Sequence, residues 1–485
     1  MKKLISLVLA LCLALSIVSF AAAEDKVTIT ISRDIFNCVP DEARVAAIEA
    51  AINTYLADAG KNYEIKMVCI NSGEYGTKAN LGVAANEYNL LWTASWMGDG
   101  IGCNDLVPMD AVYDITDLLP GTALYESMDA GQWEGSKYNG RNYFIPVYKD
   151  NVEGYALCYR QDLADKFGWD FSNVKTLADI EPMLEQAAAD GIKYPYLSQK
   201  TALFYRWNID KFDFFTADAN TNFFAVDRAT NTVVDTILTP EYADFCKLMG
   251  AWVEKGYMSD DDANKVTNDM TTHTQDWAFT YWTVTPNNDE ADGRFEQDVS
   301  FAPITSRWAH STSMLGSCYA ITKNSTEEQA KACIDFMGTL YTDNKLADLF
   351  TFGIEGEDFV YDANGQVDQT IAEGWNNNMW SAVSATILST EVGAPLNSAE
   401  LYLTFNSEAE TSCAAGFRFN KAPVEAEYTA CMNLFDQYGF ALENGVIAPD
   451  DVEAEIAAYQ EALDAAGYQT VLAEFTAQYE AWKAQ

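Results

Sequence analysis

The feature that most constrains the fold is a switch of hydrophobic period near the start of the chain. Val27-Thr28-Ile29-Thr30-Ile31-Ser32 alternates as a strand does, whereas Val45, Ile48, Ile52 and Tyr55, between Pro40 and Ala57, fall at helical spacing. Tyr63 to Ile70 then returns to a strand. Strand, helix, strand is the signature of a parallel sheet with crossover helices. Thr176-Leu177-Ala178-Asp179 reads as an N-cap box opening a helix. Thr239-Pro240-Glu241 puts proline at the first position of a helix that runs to about Glu254, with Gly256 after it. Asn139-Gly140, between two tyrosine-bearing strands, and Asn364-Gly365, between Phe359-Val360-Tyr361 and Val367, are expected hairpin turns. Near the end, Val452, Ile456, Tyr459 and Leu463 mark a helical region that closes at Trp482. With 485 residues, 49% of them apolar, the chain can build more than one core, and no internal repeat or long low-complexity linker divides it. Two α/β lobes in close succession fit this pattern.

Charge and rare residues exclude whole classes of function. Asp and Glu number 72 against 30 Lys and Arg, a formal charge of −42, which argues against nucleic acid and anionic membranes as partners because both require clustered cations. Only His273 and His310 are present, far apart, so no multi-histidine metal centre is expected. Met1-Lys2-Lys3, an apolar run from Leu4 to Phe20 and Ala21-Ala22-Ala23 read as a secretory signal spanning residues 1–23. The expected destination is the periplasm or the cell surface. Leu11 stands before Cys12 where lipoprotein signals carry a small residue, so lipid attachment is not expected. No later stretch is long and apolar enough to span a bilayer. The remaining cysteines include no C-x-x-C pair and several lie in apolar runs, which favours small buried thiols over a disulfide framework. So many thiols on a secreted protein suggest an anaerobic habitat.

No catalytic signature stands out. Neither histidine lies near a G-x-S-x-G elbow, and no sequence signal selects a glycosidase carboxylate pair. Met97-Gly98-Asp99-Gly100-Ile101-Gly102-Cys103 nearly spells a dinucleotide fingerprint, but Cys103 replaces the third glycine, and a flexible loop is the better reading. Asp260-Asp261-Asp262-Ala263-Asn264 resembles the start of a calcium loop, yet Lys265 and Thr271 occupy the glycine and glutamate positions. The expectation is therefore no enzyme, no metal and no cofactor.

Several motifs in order resemble extracellular solute-binding proteins of ATP-binding-cassette importers, of the maltose-binding type. Glu87 to Trp96 (EYNLLWTASW) is similar to the strand and loop that line their ligand cleft. Gly140 to Pro146 (GRNYFIP) resembles their strand leading into the first interdomain crossing, and Tyr159 to Leu163 (YRQDL) the opening of their second lobe. The helix from Thr176 to Met183 follows as theirs does. Tyr341-Thr342-Asp343-Asn344 through Phe352-Gly353-Ile354-Glu355-Gly356 resembles their L-Y-T-D…F-G-I-E-G segment, and Glu461 to Lys483 the helical ending of one long branch. Asn89 departs from the aspartate common among relatives.

The resemblance implies an α/β, two-lobed periplasmic-binding-protein-like fold that closes on a solute. It implies crossings near 147–152, 302–306 and 353–357. The first lobe would then be residues 24–148 plus 307–354, and the second 149–306 plus 355–485. Sugars present C–H faces and hydroxyl edges, so a sugar cleft calls for aromatic platforms and hydrogen-bonding groups. On that ground Trp96, Asp99, Tyr148, Asp150, Trp282, Trp375 and Asn378 are the expected ligand contacts, while Trp92, within the apolar strand, reads as core. Arg33, Arg206 and Arg307 could instead clamp a carboxylate or phosphate, but they occur singly. The expected role is a monomeric receptor that captures a carbohydrate and delivers it to membrane permease subunits. A secreted carbohydrate-active hydrolase and a sensor for a signalling partner are the alternatives.

Overall fold

The computed structural model describes residues 26–36, 38–98, 100–198, 203–214, 223–261, 277–286, 298–371, 374–377 and 379–484. Its strands up to residue 321 are β1 (Val27–Ile35), β2 (Tyr63–Asn71), β3 (Leu90–Thr93), β4 (Phe144–Pro146), β5 (Tyr155–Arg160), β6 (Phe212–Phe214), β7 (Phe224–Asp227), β8 (Thr232–Asp235), β9 (Phe279–Thr283), β10 (Val299–Pro303), β11 (Trp308–Ala309) and β12 (Cys318–Ile321). The opening pattern folds as its periods dictate. β1 pairs in parallel with β2 from Val27 opposite Tyr63 to Ile35 opposite Asn71, and the helix Glu42–Asp58 makes the crossover. That helix starts at Asp41, whose carboxylate accepts the Arg44 N–H at 2.8 Å, and it buries Val45, Ile48, Ile52 and Leu56. Tyr55 stands at the edge of this stripe, its hydroxyl donating to Asp343 at 2.9 Å.

The first sheet has the order β2-β1-β3-β12-β4. β12 arrives from more than two hundred residues downstream and lies antiparallel between β3 and β4, which ties the 318–321 segment into the first lobe. The second sheet, β10-β5-β9, is antiparallel throughout, and β6-β7-β8 forms a separate meander. The parallel pattern read from the start of the chain thus belongs to the first lobe.

Two large cores match the two lobes. One contains Ile29, Ile31, Leu90, Trp92, Phe144, Tyr319, Phe336 and Phe350, and the other Leu157, Tyr196, Phe224, Trp252, Phe279, Phe417 and Phe475. The expected boundary at residue 355 needs correction, because Phe359, Val367, Trp375, Val383 and Leu388 all pack into the first core. The second core resumes only at Ala414. The third passage between lobes is therefore not at 353–357, where Glu357 and Asp358 both bind Arg44 of the first lobe. It runs through the helix Ser398–Ser407, whose Asn406 bonds the Lys149 carbonyl and the Asn151 N–H of the first passage, and through Glu410–Thr411, which pairs with β11.

The two hairpin expectations differ in outcome. Asn364-Gly365 joins the two-residue strands Val360–Tyr361 and Val367–Asp368. Asn139 and Gly140 do form a tight turn, with φ of 49° and 78°, but it closes a single bridge between Tyr138 and Arg141 without flanking strands. The Thr176 box and the Thr239 cap both form. The C-terminal region is two helices, Val452–Ala465 and Tyr468–Lys483, separated at Gly467, whose φ of 96° suits glycine. Val452, Ile456, Tyr459 and Leu463 on the first, and Tyr468, Val471, Phe475 and Tyr479 on the second, dock onto the second core.

Candidate functional site

β1 and β3 run parallel, so their carboxyl ends meet at one edge of the first sheet, beside the point where β12 reverses direction. Crevices outside the carboxyl ends of parallel strands at such a reversal are the usual ligand sites of open α/β sheets. Here that edge carries an aromatic wall. Phe36 follows β1, Trp92 lies within β3, Trp96 follows it, and Trp380 comes from the later segment of the first lobe. The Phe36 and Trp380 rings are 4.5 Å apart, Trp92 and Trp96 6.2 Å, Trp92 and Trp380 6.1 Å, and Trp96 and Trp380 6.5 Å. Trp92 forms the floor, fully buried, with its indole N–H donating to Ser317 Oγ at 2.9 Å. Trp96 is 39% exposed, and its indole N–H donates to the Gly316 carbonyl at 2.7 Å. A ring fixed by its polar edge and left open elsewhere is suited to stacking on a ligand.

Two buried polar side chains close in sequence to this wall have hydrogen-bonding capacity left over among the described residues. Asp34 lies two residues before Phe36 and is 4% exposed; Ser72 Oγ donates to its Oδ2 at 3.4 Å, while its Oδ1 has no partner among the described residues. Burial pushes its carboxyl up to about 7, against the opposing pull of Ser72. Asn377, three residues before Trp380, is buried and neither its Oδ1 nor its Nδ2 has a partner among the described residues. Buried polar groups are ordinarily satisfied, so two unpartnered ones this close in sequence to the aromatic wall are candidate recognition groups.

The expected contacts separate into distinct places. Trp96 belongs to the wall. Asp150 sits at the first passage, paired with Lys149 at 2.5 Å, and the Lys149 ammonium lies 5.9 Å from the Trp380 ring centroid. Tyr148 is 5% exposed and donates to Asp129 at 3.0 Å. It lines a cavity of about 630 Å³ with Gly135, Met314, Asn406 and Trp482, a cavity that neither Trp96 nor Trp380 lines. Trp282 lies on β9 opposite Ala156. Phe279 and Tyr281 of the same strand enter the second core, whereas Trp282, half-buried, packs on Cys158, Leu197 and Trp277. Trp375 is not a platform in this structure: it is 1% exposed, its N–H donates to the Thr351 carbonyl at 3.1 Å, and its ring meets the Arg33 guanidinium at 5.5 Å. Asp99 and Asn378 lie outside the described residues, as do His273, Lys265 and Thr271.

The three arginines form no anion clamp. Arg33 is buried against Phe350, donating to that residue's carbonyl at 2.7 Å. Arg307 pairs with Glu408 at 3.0 Å, and Arg206 lies over Tyr281 at 4.5 Å. His310 is likewise structural. Its Nε2 meets Glu153 Oε2 at 2.6 Å and its Nδ1 lies 4.0 Å from Asp213, so carboxylates face both ring nitrogens. The Tyr155 and Tyr205 hydroxyls also donate to Glu153. Burial opposes ionisation of Glu153, but His310 and the two hydroxyls outweigh it and hold the carboxyl at about 2. The backbone of Glu153 exchanges hydrogen bonds with Trp308 at 2.8 and 2.9 Å, which joins the first two passages between the lobes.

Among the described residues no group of His, Cys, Asp and Glu could hold a metal ion, and no helix is long and apolar enough to cross a membrane.

Comparison with known proteins agrees with this architecture. A carbohydrate ABC transporter substrate-binding protein of Streptococcus pneumoniae is 24% identical over 450 residues, 88% of each chain. The crystal structure of the N-glycan transport solute binding protein NgtS from the same species superposes with a TM-score of 0.79 at 23% identity, covering 94% of this chain and 99% of that one. The alginate-binding protein AlgQ2 gives 0.58 at 15% identity, covering 94% and 99%. Residues 413–484 match a domain of unknown function, DUF3502. Residues 50–355, more than half of the chain, match the model of the bacterial extracellular solute-binding proteins, and the chain belongs to that family.

Proposed function

We propose that this protein is a receptor that closes its two lobes on a neutral oligosaccharide and hands it, chemically unchanged, to the permease of an ATP-binding-cassette importer. The observation that carries this reading is the wall of Phe36, Trp96 and Trp380, with the buried, unpartnered polar atoms of Asp34 and Asn377 close to it in sequence. It offers the two things a sugar needs, a flat apolar surface for its C–H face and acceptors and donors for its hydroxyls. The dispersal of Arg33, Arg206 and Arg307 supports a ligand without a carboxylate or phosphate group. Trp282 is the proposed stacking partner from the second lobe. The pneumococcal relatives add support, since NgtS has been crystallised with Man1GlcNAc and with Man5GlcNAc. A ligand drives closure only through its greater affinity for the closed state, so contacts from both lobes are needed.

Thermal denaturation against mannose-containing oligosaccharides, maltodextrins, amino acids and peptides tests the proposal. A ligand at a hundred times its dissociation constant adds about 2.7 kcal/mol, a clear rise in midpoint. Stabilisation by an oligosaccharide recovered intact is the expected result. Stabilisation only by amino acids or peptides, or release of shorter sugars, overturns it.

A further inference from the structure

Cys103 and Cys318 are separated by more than two hundred residues, yet their sulfurs lie 3.4 Å apart and both side chains are fully buried. Cys103 opens the short helix Cys103–Leu106, and its N–H donates to the Ala94 carbonyl at 3.3 Å, closing the loop that carries Trp96. Cys318 begins β12 opposite Thr93 of β3. The two residues before it, Gly316 and Ser317, accept the indole N–H groups of Trp96 and Trp92. The thiol pair therefore joins the two segments that carry and hold the indole N–H groups of Trp96 and Trp92.

A second observation marks this pocket as more than packing. Arg418, from the second-lobe side of the chain, is 3% exposed, and its Nε and Nη2 have no hydrogen-bond partner among the described residues. Its charge acts on Cys103, Cys318 and Tyr138. Burial holds the Cys318 thiol well above the usual range, and the Arg418 guanidinium is the group that opposes this by favouring a thiolate. Burial outweighs the cation at Cys318 in the folded state, so what this pocket supplies is proximity, two sulfurs in contact beside an unpartnered guanidinium.

We propose that Cys103 and Cys318 are a disulfide site, oxidised by an external disulfide as the secreted chain folds, and that the bond staples the Trp96 loop to β12. In the first step a thiolate of the pair attacks the external disulfide, forming a mixed disulfide and expelling one thiol. The second cysteine, deprotonated, then displaces the other external sulfur. The pair has lost two protons and two electrons, and the external disulfide has become two thiols. A disulfide bond is about 2.05 Å long, so the sulfurs must close by less than the width of an atom. Because both are buried, exchange takes place before the core closes or during local opening around Ala94 and Cys103, and the finished bond is shielded from reductants.

The test is to refold the full chain with glutathione disulfide or with reduced glutathione, alkylate it under denaturing conditions with iodoacetamide, and map peptides without reduction. The expected result is a Cys103–Cys318 cross-linked peptide in the oxidised sample only, with the other cysteines alkylated. The oxidised wild type then melts several degrees above the reduced one, a gap that Cys103→Ala abolishes. Should that variant fail to fold, the wild-type peptide map still decides. Alkylation at every cysteine after oxidative refolding, or a cross-link between other cysteines such as the exposed Cys413, overturns the proposal.

Discussion

Asp34 and Glu153 are both shielded carboxylates close to proposed functional ground, and they differ in one respect that separates recognition from architecture. Glu153, at the junction of two interlobe passages, is saturated: His310, Tyr155 and Tyr205 all bond it, and its carboxyl is held at about 2. Asp34, at the carboxyl end of β1, keeps one oxygen without a partner among the described residues, and its carboxyl is raised to about 7. A fully bonded charge stabilises a geometry, and an open one waits for something to bind. The tryptophans repeat the contrast. Trp375 is enclosed by Arg33 and Thr351, whereas Trp96 is pinned at its N–H and exposed beside Trp380.

The largest effect should come from breaking the saturated side of this comparison. Glu153→Ala leaves His310 and two tyrosine hydroxyls without their shared acceptor, and loss of one partner from a buried pair costs about 3–5 kcal/mol. Urea denaturation should show that loss at neutral pH. The wild type adds a pH signature. Its folded carboxyl titrates near 2 against an ordinary value of 4.5, so the contribution is complete above about pH 4.5 and is lost as pH falls toward 2. A denaturation profile whose acid-side decline in this window is unchanged by Glu153→Ala would show that the network is not what holds the junction.

The tryptophan pair should split the same way. Trp375→Ala removes a ring packed in the first core and should cost about 3–5 kcal/mol of stability. Trp96→Ala should leave the midpoint of the free protein within about a degree or two, while weakening oligosaccharide binding by about ten- to a hundredfold. Calorimetric titration beside a melting curve separates the two outcomes. Equal stability losses in both variants would mean that Trp96, too, is core.

How much of this contrast is legible in the sequence depends on whether the signal is periodic. The β1–helix–β2 unit, the Thr239 cap and the stripe from Val452 to Leu463 are read correctly because alternation, capping residues and helical spacing are local. The third passage is misplaced because 353–357 rests on the resemblance alone, and nothing local says which core Phe359 or Val367 joins. Trp375 and Trp380 lie five residues apart in a polar stretch, and only tertiary packing makes one of them core and the other part of the wall. Asp34 did leave a trace. Arg33-Asp34 sets two adjacent charges near the end of a strand that continues to Ile35, and a buried strand carries such charges only with partners or a purpose. Arg33 donates to the Phe350 carbonyl and lies against Phe350 and Trp375, although its Nη2, like Asp34 Oδ1, has no partner among the described residues.

Asp34→Asn gives the smallest effect and the most discriminating one. The folded carboxyl is raised from 3.8 to about 7, so the native state holds a proton that the unfolded chain has already released. Stability from this group therefore falls as pH rises from about 4 to 7, and the asparagine variant, which never ionises, should be more stable than wild type at pH 8 and nearly equal to it at pH 4. Binding should move the opposite way. If the open oxygen accepts a ligand hydroxyl, exchanging the carboxylate for an amide weakens binding by about three- to tenfold at pH 8, the worth of one hydrogen bond. At pH 5 the wild-type carboxyl is protonated and the two proteins should bind alike. A variant that gains stability at pH 8 and loses no affinity there would leave Asp34 a buried acid with no part in recognition.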